Sequence, residues 1–438
     1  MDNLLVSCTE QLAEIDGQVE GTIPEWLSVQ MLRVGPAKWD LDDFVLNHWL
    51  DGCAMLCKFT ISQGRVKMNS KYLHSEAYNK MNQVKRPVFT EFGTRSYPDP
   101  CKNVFSRFFS QIVPSDLTDN GCVGIFKLAN EYYSSSETCN VLKVCNHSLN
   151  VQQKINLDKV AGVNLACSHV QSIKGDDYAY NMSSSFLTGL KYHVLKIPLF
   201  KDTEHEGNNS SFMNRASILG SIPSSWKTCI AYYHSFAITA NYLVFIELPL
   251  VVNAFKLATC TAKGKPLKDC LEWHPSENTR FHVICKRSGQ SVGKYYAKAF
   301  FYFHTINAYE DNGHIVADLM AYEDPTILEK WDLSAMRSNV YDDQNQATPT
   351  RFVMPLHVQH IPLSRFFFHY QGYLQDSQVR LEPDLIRSVG ILVHDLFSGP
   401  FRLEIDYIGF VYDSQHNDII EYETHYHEAS SLKSYGSV

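Results

Sequence analysis

The apolar positions of this chain fall in short runs broken by turn residues. Cys53–Leu73, CAMLCKFTISQGRVKMNSKYL, sets two such runs on either side of Gln63-Gly64. KYHVLKIPLF (191–200) and NYLVFIELPLVV (241–252) are rich in branched and aromatic residues. FYFHTINAYEDNGHIVADLMAYED (301–324) reads as two strands around Asn312-Gly313, a turn whose residues must tolerate positive φ. Short strands repeating with turn signals predict an all-β sandwich, barrel or propeller up to about residue 350. No short fixed repeat is visible, so period alone does not select the propeller. One segment departs from the pattern. In CKNVFSRFFSQIVP, residues Phe105, Phe108, Phe109, Ile112 and Val113 occupy one helical face that ends at Pro114. Such a face is usually core packing, but a basic, Phe-rich helix can also lie in a membrane interface.

Composition narrows the class. The chain has 438 residues, 45% of them hydrophobic, enough for one large or two ordinary domains. Its net charge is −8, with acidic and basic residues interspersed, which excludes a nucleic-acid footprint. The residues before Arg33 are acidic and carry no Lys or Arg. That argues against a secretory signal and against an Arg-rich transit peptide. We therefore expect a cytoplasmic protein rather than a mitochondrial one. The apolar stretch Ile238–Phe255 is interrupted by Glu247 and Pro249, too broken for a membrane span. Twelve scattered cysteines read as reduced, buried thiols, Cys53 and Cys57 included. The common nucleotide, zinc-protease and serine-hydrolase motifs are absent.

Three histidines stand in similar settings: His169 in NLACSHVQ, His234 in IAYYHSFAIT and His304 in FYFHTIN. Each lies beside an apolar or aromatic run, at nearly even intervals. A single histidine in such a run is more often a hydrogen-bonded core residue than a ligand. Three imidazoles sent from successive structural units toward one axis would suit Fe, Zn or Cu. The pattern alone leaves both readings open.

Several stretches in order resemble the carotenoid cleavage oxygenase family, in its animal β-carotene oxygenase and retinoid isomerohydrolase branch. They are IPEWLSVQMLRVGP, NHWLDGCAMLCKF, EFGTRSYPDPCKNVFSRFF, SSSETCNVLKV, YYHSFAIT, NTRFHVICKRSGQ and FHTINAYEDNG. The resemblance covers roughly residues 20–356. It implies a seven-bladed β-propeller with Fe2+ on its axis, held by four histidines. His169, His234 and His304 match three of these ligands, and Glu137 matches a glutamate that orients a ligand imidazole. The implied activity is a non-haem iron(II) dioxygenase that uses O2 to cleave a C=C bond of a carotenoid or retinoid polyene into two carbonyls. Cys101, Phe105, Phe108, Phe109 and Ile112 match the family's membrane-facing region, which implies peripheral membrane contact.

The resemblance stops near residue 357, before the family's fourth histidine. FFFHYQGYLQDSQ, IRSVGILVHD and GPFRLEIDYIGF instead resemble the complex I intermediate-associated protein, whose domain is a galactose-binding-like jelly roll. The expected organisation is a C-terminally truncated propeller over 1–356, a partial jelly-roll fragment over 357–423 and a frayed tail over 424–438. The alternative readings are an inactive retinoid- or carotenoid-binding protein, a fusion linked to complex I assembly, or a gene-model chimera.

Overall fold

The computed structural model describes residues 5–97, 117–186, 189–200, 211–260, 262–338 and 345–356, with the short strands His369–Tyr370 and Tyr373–Leu374. The chain divides into two compact units, Met1–Leu356 and His357–Val438. The amphipathic segment with Cys101, Phe105, Phe108, Phe109 and Ile112 lies outside the described residues. So does most of the segment read as a jelly-roll fragment and tail; its two short strands pair antiparallel.

The first unit is a succession of antiparallel sheets. Strands β1 (Gln11–Asp16) and β2 (Val29–Lys38) precede a small hairpin, β3 (Asp40–Leu41) and β4 (Phe44–Val45). Then come β5 (Cys53–Ser62) and β6 (Arg65–Tyr72), and the first sheet has the order β1-β6-β5-β2. The second sheet is a plain meander of β7 (Gly124–Leu128), β8 (Glu131–Ser135), β9 (Asn140–Val144) and β10 (Val151–Asn156). The third runs through β11 (Leu165–Ala166), β12 (Tyr178–Ser185), β13 (Lys191–Pro198) and β14 (Ser217–Pro223).

The next strands interleave two sheets. They are β15 (Cys229–Ala231), β16 (Ala237–Ile238), β17 (Tyr242–Glu247), β18 (Leu250–Asn253), β19 (Leu271–Trp273), β20 (Thr279–Cys285) and β21 (Ser291–Ala297). The fourth sheet is β16-β17-β20-β21, and β15-β18-β19 forms a smaller one beside it. The last sheet joins β22 (Phe301–Asp311), β23 (His314–Tyr322) and β24 (Thr348–Pro355). Among the described residues this unit has six sheets of three or four strands and the β3–β4 hairpin, and none closes on itself.

Apolar side chains collect between consecutive sheets. Leu56 of β5 meets Leu142 of β9, and Val141 with Ile155 meets Leu195 and Ile197 of β13. Val194 meets Phe245 and Ile284, and Val244 with Val283 meets Phe301, Ile315 and Met354. Each fully buried large side chain contributes about 1.5–3 kcal/mol. The sheets thus stack face to face in chain order. Residues 327–337, between β23 and β24, return to the first sheet. There the Trp331 carbonyl accepts from Trp49 N–H at 2.9 Å, and Leu333 packs beside Trp39, Leu41 and Leu46.

Both predicted turns are formed. Gln63 and Gly64 have φ of 49° and 71°, and Asn312 and Gly313 have 45° and 77°. Consecutive positive φ values give the twist that lets two adjacent strands continue directly.

Candidate metal centre

Successive sheets each place one imidazole at the same point. His169 follows β11, the first strand of the third sheet. His234 sits in the link between β15 and β16. His304 lies on β22, where pairing with β23 slips between Tyr302 and Thr305. That irregularity interrupts the alternation of side chains: Phe301, Tyr302 and Phe303 are all buried, and His304 is open.

His304 meets the other two rings edge to face, and His169 and His234 are tilted at 60° to each other. Their centroids are 4.7 Å apart for His169 and His234, 5.0 Å for His169 and His304, and 4.7 Å for His234 and His304. One nitrogen of each lies within 4.8 Å of the others, and Nε2 of His169 is 2.9 Å from Nε2 of His234.

Glu137 enters from the β8–β9 turn. Its Oε1 accepts from His234 Nδ1 at 2.6 Å and from the Tyr232 hydroxyl at 2.9 Å. Placing the His234 proton on Nδ1 leaves the Nε2 lone pair facing the other two rings. The surrounding backbone is tied in place. Tyr302 donates to the Ser235 carbonyl at 2.7 Å, Ser235 Oγ donates to the Phe303 carbonyl at 2.5 Å, and Cys167 Sγ donates to the His234 carbonyl at 2.9 Å.

Charge is disfavoured here. Burial, then the neighbouring His234 and His304, push the His169 pKa down to about 3. Burial, then His234, push that of His304 to about 4, against a small opposing effect of Glu137. Both rings are neutral at pH 7 and have lone pairs to offer. Three converging imidazoles, with a carboxylate behind one of them, form a donor set suited to Fe, Zn or Cu. The set therefore fits the expected Fe2+, and His169, His234 and His304 are the residues that would hold it.

Glu137, Tyr232, Leu165 and Ala166 also line a cavity of about 130 Å³ that extends past Phe92, Leu257 and Leu271 and is largely apolar. Tyr232 was not singled out from sequence. Its signal was present, because Tyr232 and His234 stand two apart beside a strand and can share a face. In NHWLDG, by contrast, His48 is fully buried, with Nε2 2.7 Å from the Leu328 carbonyl. It is a structural histidine.

The fold and the site together define a β-sheet protein built around a histidine cluster. The model of the retinal pigment epithelial membrane protein family matches residues 5–372, and the chain belongs to that family. That match runs past Leu356, into the segment read as a different domain. Among curated relatives, the mitochondrial carotenoid-cleaving dioxygenase of Mustela putorius furo is 39% identical over 363 residues, covering 81% of this chain and 66% of the relative. The Homo sapiens β,β-carotene 15,15'-dioxygenase is 38% identical over 360 residues, covering 80% of this chain and 65% of the relative. The chain thus spans slightly less than two thirds of these relatives' length. The crystal structure of cobalt-substituted Synechocystis apocarotenoid oxygenase superposes with a TM-score of 0.60 at 20% identity, covering 79% of this chain and 69% of that one. This likeness places the sheets in the propeller fold of that oxygenase.

The expected cytoplasmic location is corrected by these findings. Several relatives are named mitochondrial, which stands against that expectation. The acidic stretch from Asp2 to Glu25 that prompted the expectation describes only those residues.

Proposed function

We propose that this chain is a non-haem iron(II) carotenoid dioxygenase, with His169, His234 and His304 as ligands. The observation that carries the proposal is the meeting of three imidazoles with Glu137 bonded to the outer nitrogen of one. An iron(II) held there would supply O2 binding and activation, while the cleaved polyene C=C provides the four electrons that reduce O2 and each oxygen atom ends in one of the two carbonyls. Glu137 holds the His234 tautomer, and Tyr232 holds Glu137. The apolar wall from Phe92 to Leu271 excludes water and takes the polyene by shape. In this reading the stacked sheets are blades of a seven-bladed ring, and the segment from Cys101 to Ile112 faces a membrane.

Metal analysis and product analysis on the purified full chain test the proposal. One iron per chain and carbonyl products from a carotenoid in the presence of O2 are expected. Iron-free protein that cleaves nothing overturns it. A second reading, polyene binding without cleavage, is favoured by one observation: three imidazoles, not four, meet among the described residues. Retention of carotenoid by iron-loaded protein without products would select it.

Residues 357–423 are read as a fragment akin to complex I intermediate-associated protein. Detection of the tryptic peptide Phe352–Arg365 in source tissue tests whether that junction is translated.

A further inference from the structure

One buried carboxyl has no role in the metal centre. Glu91 is 3% exposed and lines the same cavity as Glu137 and Tyr232. Its backbone is fixed on both sides: its N–H donates to the Thr94 carbonyl at 2.9 Å, and its carbonyl accepts from Leu267 N–H at 3.1 Å. Gly93, two residues on, packs so closely on His48 that an added Cβ would lie 2.3 Å from His48 Cβ. The segment therefore has little freedom to swing the carboxyl away.

The partners of the side chain define what it can offer. Thr118 Oγ1 donates to Glu91 Oε1 at 2.8 Å. The Asn120 N–H donates to Thr118 Oγ1 at 3.2 Å, so the Thr118 hydroxyl proton is directed at Glu91. No lysine or arginine pairs with this carboxyl among the described residues. Burial, then the nearby Asp51, push its pKa well above the usual carboxylate range. A neutral carboxyl whose Oε1 is occupied by Thr118 carries its own proton on Oε2. A donor in a largely apolar cavity is costly to leave unpaired.

We propose that Glu91 is a specificity-determining residue that hydrogen-bonds a hydroxyl or carbonyl oxygen on the apolar ligand. The cavity then prefers an oxygen-bearing polyene to the hydrocarbon of the same skeleton. A site built to bond a substrate hydroxyl rejects the analogue that lacks it, because the site's own polar group is left unpaired. The inference rests on the polyene reading of the cavity.

The test is a fluorescence titration of the full chain with retinol and with the hydrocarbon of identical skeleton. Wild type should bind retinol about tenfold more tightly than the hydrocarbon. Glu91→Met should lose that ratio, whereas Glu91→Gln, whose amide both donates and accepts, should keep it. Equal ratios in wild type and Glu91→Met overturn the assignment while leaving polyene binding intact. Failure of wild type to bind either compound overturns the polyene reading and the assignment with it. Infrared difference spectra remove any dependence on the folding of the Met variant. A carboxylic C=O band that shifts with retinol, stays put with the hydrocarbon and is absent from Glu91→Gln supports the assignment. A band insensitive to retinol overturns it.

Discussion

At the scale of single residues, Glu137 determines what the His234 ring can do. Its 2.6 Å contact to Nδ1 sets the tautomer, and Tyr232 holds the other side of the same oxygen. Glu137→Gln replaces a carboxylate with an amide that can present its NH2 group to Nδ1 and favour the wrong tautomer. Iron affinity should fall about 10- to 100-fold, measured by competition with a chelator. Tyr232→Phe leaves the carboxylate in place and should cost less. The two depressed imidazoles also make stability depend on pH. In the unfolded chain they take up protons near 6.5, but in the folded protein His169 waits until about 3 and His304 until about 4. Across that window the unfolded state binds more protons, so stability falls as pH drops below 6.5. The urea midpoint of metal-free protein should be lower at pH 5 than at pH 7. His169→Gln should flatten that dependence.

At the scale of elements, the β22–β23 hairpin delivers His304. Its type I′ turn was legible in Asn312-Gly313, because few residue pairs accept two positive φ values. The slip in pairing between Tyr302 and Thr305 was not legible. Nothing local in FYFHTIN distinguishes a bulge from strict alternation, and the bulge is what lets His304 face the cluster beside three buried aromatics. The contact between Glu137 and His234 was equally invisible to periodicity. It joins two turns from different sheets, and only the family resemblance pointed to it. His48 makes the complementary point. It sits in an apolar run much as His304 does, yet it is buried against the Leu328 carbonyl. Pattern alone cannot separate a core histidine from a ligand, because both need the same apolar surroundings. Gly313→Val should cost about 1–2 kcal/mol, since a branched residue at φ 77° meets its own backbone. The measurement is chemical denaturation, with iron affinity falling in parallel if the hairpin positions His304.

At the scale of the whole described unit, residues 327–337 connect the last sheet to the first. Two kinds of contact make that connection, and they should not weigh equally. Arg337 donates to both oxygens of Asp40, at 2.9 and 2.8 Å, but the pair is partly exposed. Solvent screening holds such a pair to about 1 kcal/mol or less. Trp331 stacks on Phe303 with centroids 5.0 Å apart and meets Trp49 edge-on at 5.3 Å. Phe303 in turn stands against the His234 ring at 5.1 Å and adjoins His304 in sequence. Removing the indole leaves a void beside an aromatic that stands against the cluster. Trp331→Ala should therefore cost about 3 kcal/mol in denaturation and also weaken iron binding by about tenfold. Arg337→Ala should cost little and leave iron affinity unchanged. If the two variants lose stability equally and neither alters iron binding, residues 327–337 only hold the sheets together. If Trp331→Ala alone weakens iron binding, the same segment also sets the position of the imidazoles, through Phe303.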